Sequence, residues 1–145
     1  MAMKASELRA RVLEEHALLR GKAEVLEALA LRVIRGDEDL GSALRLKGEE
    51  IEGRLAHHIL WEEDILLPEL RRSGHGDVAE KIRSEHRRQR ERISDSLVAL
   101  QDAERRPIAV ARHLVEFVRL LEQDICDEEE SMLARSLGPT GTSDS

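Results

Sequence analysis

His58 and Glu62 stand four residues apart in the run His58-Ile59-Leu60-Trp61-Glu62, and Asp124 and Glu128 repeat that spacing late in the chain. Residues four apart share one face of an α-helix, so each pair aims two donor groups at the same point. His16 and His86 sit near the middle of two further helix-like segments. Brought together, these imidazoles and carboxylates form a ligand set for iron, manganese or zinc, ions that accept mixed nitrogen and oxygen donors. A bundle core strongly disfavours an unpaired carboxylate, so Glu62, Asp124 and Glu128 on apolar stripes call for cations or hydrogen-bond partners.

The elements that must position them are legible as apolar stripes with helical period. From about Lys4 to Arg35, Val12, Leu13, His16, Leu19, Ala23, Leu26, Ala30 and Val33 share a face, and Gly36 supplies a stop. After Asp37-Glu38-Asp39 a second stripe runs through Leu44, Ile51, Leu55, His58, Glu62 and Ile65, ending near Arg72 before Ser73-Gly74-His75-Gly76. Asp77 and Glu80 have capping-box spacing and open a third helix with Ile82, His86, Ile93, Leu97 and Leu100 inward. Pro107 suits the first turn of a fourth, whose inner stripe reads His113, Phe117, Leu120, Leu121, Asp124 and Glu128.

Short connections make neighbouring helices antiparallel, predicting an all-α, up-down-up-down four-helix bundle. At a rise of about 1.5 Å per residue, His16 lies about 18 Å and His86 about 15 Å from one end of such a bundle. His58 and Asp124 lie about 20 Å, and Glu62 and Glu128 about 14 Å, above the same end. The six candidate ligands thus fall in one layer.

Composition narrows the function classes. The 145 residues suit one domain, expected over 1–137, with the small polar segment 138–145 expected to be a disordered tail. Aromatic residues are only 1% and charged residues 37%, which favours amphipathic helices over sheets. The absence of Tyr excludes a tyrosyl radical. A net charge of −7 argues against nucleic acid and anionic membrane as partners. No apolar run approaches the roughly 20 residues that span a bilayer, and Cys126 has no partner for a disulfide, so a cytoplasmic protein is expected.

The remaining polar residues have plainer readings. His57 is rotated about 100° from His58, toward a neighbour or solvent. His113 lies about 16 Å along its helix from Asp124 and reads as a satisfied core or helix-end histidine. His75 is a loop residue, Cys126 points away from the metals, and Arg87-Arg88-Gln89-Arg90-Glu91-Arg92 reads as a solvated face. Glu129 is the substitute for Glu128 should the helix phase be off by one.

The segment Leu55 to Pro68, with His58, Glu62 and a downstream Leu67-Pro68, resembles the hemerythrin-like HHE cation-binding family, together with His16, Glu85-His86 and the stretch from Asp124 to Leu133. The resemblance covers nearly the whole domain. It implies two iron ions bridged by an oxo or hydroxo group, with Glu62 and Glu128 bridging, His16 and His58 on one iron and His86 on the other. It also implies O2, another diatomic such as nitric oxide, or peroxide as the small ligand. The chain departs from the family where Asp124 replaces a histidine and Arg90 stands one turn after His86. Asp124 would then be the second metal's terminal ligand beside His86, an oxygen-richer setting that favours the ferric state.

Two other classes stay open on the sequence. One is a ferroxidase-like or oxidase enzyme, or an iron-handling protein, with manganese or zinc as alternative metals. The other is a metal-free helical interaction module. Glu-x-x-His and His-Glu-x-x-His are both absent, which removes the ferritin-like and zincin patterns. Monomer and homodimer are equally compatible with the pattern.

Overall fold

The computed structural model describes residues 4–133. Helix α1 spans Ala5–Ile34, α2 Gly41–Trp61, α3 Leu67–Arg72, α4 Gly76–Leu100 and α5 Pro107–Glu128. A short 3₁₀ turn, Glu38–Leu40, precedes α2. A π-helical turn, Glu62–Leu66, joins α2 to α3, and a second, Glu129–Leu133, continues α5. Among the described residues there is no strand. The four long arms pack in a ring, α1 against α2 and α5, and α4 against α2 and α5.

The boundaries follow local chemistry. Gly36 adopts φ 126° after α1 and Gly74 φ 89° after α3, a left-handed conformation open to glycine without a Cβ clash. Pro107 occupies the first turn of α5, where its missing N–H costs no hydrogen bond. Pro68 cannot donate to the carbonyl one turn back and its ring crowds it, and the ladder before it opens to a π turn in which Leu67 N–H reaches Glu62 O. The expected Asp77–Glu80 capping box does not form. Helix α4 begins a residue earlier, at Gly76, and its N-cap position, His75, makes no side-chain cap bond.

The core is divided in two. One apolar cluster contains Leu19, Leu26, Ile51, Leu55, Ile59, Ile93, Phe117, Leu121 and Ile125. The other contains Leu8, Val12, Leu66, Leu67, Leu70, Val78, Ile82 and Met132. Each long arm passes from one cluster to the other at a buried polar residue: His16, then His58 and Glu62, then His86, then Glu128.

Five inward assignments need correcting. Ile65 is 41% exposed and Leu66 is buried in its place, because the π turn inserts an extra residue and moves the inward face on by one. Leu97 is 39% exposed and Ser96 is buried, since the α4 stripe alternates steps of four and three: Ile82, His86, Gln89, Ile93, Ser96, Leu100. In α5 the buried line is Leu114, Val118, Leu121, Ile125 and Glu128, which leaves His113, Leu120 and Asp124 half-buried at its edge. Steps of four alone drift about 40° per step around a helix, enough to carry a stripe off its face.

Candidate metal centre

Between the two apolar clusters, His16, His58, Glu62 and Glu128 converge from α1, α2, the π turn that follows it and α5. One donor atom from each lies within 4.8 Å of all the others. His58 Nε2 is 3.3 Å from Glu62 Oε2 and His16 Nε2 is 3.5 Å from Glu128 Oε1. His16 Nε2, Glu62 Oε2 and Glu128 Oε1 are buried without a hydrogen-bond partner. Orphaned donors aimed at a common point fit a cation, because adjacent ligands on bonds of about 2.1 Å stand about 3 Å apart.

His86 joins through Glu62. Its Nε2 lies 2.8 Å from Glu62 Oε1, so the two oxygens of Glu62 face two different histidines. Asp124 is placed otherwise. Its Oδ2 accepts from Arg92 at 2.6 Å and from Gln89 at 3.2 Å, on the side of α5 that faces α4. The structure therefore brings together five of the six residues singled out from spacing and holds Asp124 in an ion pair beside them.

Behind each histidine stands a carboxylate. His16 Nδ1 donates to Glu129 (2.8 Å), His86 Nδ1 to Glu63 (3.1 Å), and His58 Nδ1 faces Glu15 at 3.4 Å. Each carboxylate is held in turn by an arginine: Glu129 by Arg20, Glu63 by Arg90 and Glu15 by Arg54. A proton on Nδ1 leaves the Nε2 lone pair free toward the centre, the arrangement typical of metal-bound imidazole. Sequence reasoning missed this outer layer. A signal was present, since every one of these arginines is four residues from its histidine: His16 and Arg20, Arg54 and His58, His86 and Arg90.

The charges are strongly coupled. Burial alone would lower His58, but the carboxylates of Glu62, Glu128 and Glu15 outweigh it and raise the ring to about 9. His16 and His86 are raised as well, burial being overcome by Glu128 at the first and by Glu62 at the second. Burial and then the Glu62 charge push Glu128 up to about 8. Burial opposes ionisation of Glu62 too, yet His58, Glu128 and His86 together hold its carboxyl well below the usual carboxylate range. Protons thus occupy positions that a cation can take, and ligation has to displace them.

The other histidines sit apart from this layer. His57 is exposed, and His113 Nε2 lies 2.9 Å from Ser96 Oγ in a satisfied pair one cluster away. Trp61 stacks on His58 with ring centroids 6.3 Å apart and carries Arg11 over its outer face at 5.3 Å, closing that side of the centre. Cys126 is exposed.

A helical bundle with a buried histidine and carboxylate group that can hold a metal is the class these features define. The family model of the hemerythrin HHE cation binding domain matches residues 8–136, and the chain belongs to that family. Neither the curated proteins nor the solved structures contain a match to it.

Proposed function

We propose that the chain is a hemerythrin-like di-iron protein that binds or activates O2, or reacts with peroxide or nitric oxide, at a carboxylate-bridged metal pair. One observation carries the reading: Glu62 presents Oε2 to His58 and Oε1 to His86, each an imidazole backed by its own carboxylate. That is the placement expected of a carboxylate shared between two ions. His16 and His58 would hold one ion, His86 the other, and Glu62 and Glu128 would lie between them. Iron bound there supplies the redox chemistry toward a small diatomic or peroxide, while manganese and zinc are compatible with the same donors. The two apolar clusters and Trp61 keep bulk water from the layer. The outer carboxylates fix each ring and hold the proton at Nδ1.

The alternation of each arm between the two clusters supports an up-down-up-down order for a single bundle, while the expected end of the domain at 137 and the tail 138–145 lie outside the described residues. The lone cysteine favours a cytoplasmic setting. Among the described residues no helix is long and apolar enough to cross a membrane.

A second reading, a site for one cation, is favoured by the hold of Arg92 and Gln89 on Asp124, which withdraws a terminal ligand from the His86 side. Anaerobic loading with Fe(II), elemental analysis and the absorption spectrum on admitting air separate the two. Two irons per chain with oxo-bridged ferric bands in the near-ultraviolet are expected, and Glu62→Gln should lose the pair. One iron would favour the single-cation site, and no stoichiometric metal would remove both readings.

A further inference from the structure

A groove of about 730 Å³ runs along the outside of α4, opposite α3 and the π turn. It lies one layer out from His86, on the far side of Glu63. Its volume is that of a site for a small organic ligand rather than a macromolecular surface. At one end Arg71 of α3 faces Arg83 and Arg87 of α4, and at the other Glu91, Ser94 and Asp95 supply acceptors and a hydroxyl. Arg83 and Asp95 are separated by about 18 Å of helix, so the groove has a cationic and an acceptor end.

The cationic end is not neutralised from within. Arg90 is taken up by Glu63, with contacts of 2.9 and 2.6 Å, and Arg71 has only a 4.0 Å approach to Glu80. Among the described residues the ion pairs of the groove's arginines are Arg90 with Glu63 and Arg71 with Glu80, and none involves Arg83 or Arg87, although the chain carries an excess of seven negative charges. Two guanidinium groups four residues apart on one helix face offer paired donors to a phosphate. An extended polyanion is disfavoured by Glu91 and Asp95 at the other end, whereas sugar hydroxyls would donate to them.

We propose that this groove binds a phosphorylated sugar or polyol, its phosphate on Arg83, Arg87 and Arg71 and its hydroxyls toward Glu91, Ser94 and Asp95. Arg90 gives the site a route inward. A phosphate that draws Arg90 from Glu63 loosens the carboxylate behind His86, so occupancy of the groove alters metal affinity and, by linkage, metal alters occupancy. The coupling rests on the metal-centre reading; the binding does not.

The test separates them. Calorimetric titration of the chelator-treated 145-residue chain with ribose 5-phosphate, inorganic phosphate and ribose should give saturable binding of ribose 5-phosphate, weaker binding of phosphate and none of ribose. The double variant Arg83→Ala, Arg87→Ala changes only exposed side chains and should lose at least about tenfold in affinity with an unchanged melting profile. No saturable binding, or equal binding by the double variant, overturns the groove whatever the metal content proves to be. With binding established, a shift of about fivefold in Fe(II) affinity on saturation with ribose 5-phosphate supports the coupling, and an unchanged affinity overturns the coupling alone.

Discussion

At the scale of the residue, Glu52 is as telling as the metal-layer carboxylates. It is 1% exposed, and neither carboxylate oxygen has a hydrogen-bond partner. Burial pushes its carboxyl up to about 8, so at neutral pH it is held neutral within the larger apolar cluster. The folded state binds this proton more tightly than the unfolded chain does, and stability falls as pH rises from about 4.5 to about 8. Glu52→Gln removes the charge change. Its stability advantage over the parent should grow by about 1 kcal/mol per pH unit across that window. Urea unfolding at a series of pH values reads this directly, and an advantage independent of pH would refute it. The helical period could have exposed Glu52, which belongs with Gly48, Leu55 and Ile59 on the buried face of α2. Asp124 is the converse case. Its spacing from Glu128 is that of His58 from Glu62, but its position on the helix edge brings it to Arg92.

Elements are positioned by small residues and by departures from α-helical geometry. A Cβ at Gly41 would come within 2.6 Å of the Ala103 carbonyl oxygen and 3.0 Å of Glu104 Cα, so the start of α2 seats directly on the backbone before α5. Gly53, in the exposed interior of the same helix, has nothing within 4 Å of that position. Gly41→Ala should therefore cost about 1–3 kcal/mol through overpacking against rigid backbone. Gly53→Ala should stabilise by about 0.5–1 kcal/mol through lower chain entropy and better helix propensity. Thermal melts of the two variants carry the test, and effects of the same sign would contradict this account of the α2 seat. The π turns act at the same scale. One begins at Glu62 and the other directly follows Glu128, so the two central carboxylates sit where the helical ladder widens and the downstream apolar face is reset.

For the whole molecule, the coupled layer ties stability to pH and to metal. His58, raised from 6.5 to about 9, contributes stability that is complete below about 6.5 and lost as pH rises through about 9. Glu128, raised from 4.5 to about 8, loses its contribution across that interval in the same direction. Glu62, depressed, acts oppositely, and its contribution is lost only as pH falls below about 4.5 toward its folded value. The metal-free protein should accordingly be most stable under mildly acidic conditions and lose stability up to about pH 9. A bound cation replaces those protons as the partner of Glu62 and Glu128, so the metal-loaded protein should gain relative stability as pH rises. Melting temperatures with and without chelator from pH 5 to 9 should diverge with increasing pH; parallel curves would deny a cation at this layer.

The sequence by itself determined the helices, their approximate ends and the kinds of donor set among them, because apolar period, helix stops and residue type are local properties. It also placed His16, His58, Glu62, His86 and Glu128 at one height, since rise per residue is nearly constant in a helix. Tertiary structure alone decided that Asp124 turns to Arg92, that Leu66 and Ser96 replace Ile65 and Leu97 inside, and that Glu15, Glu63 and Glu129 back the histidines. A helical pattern sets a side chain's direction only to within a few tens of degrees. Which neighbour it meets depends on the π turns, the alternation of three- and four-residue steps, and the side chains that packed helices present across the gap.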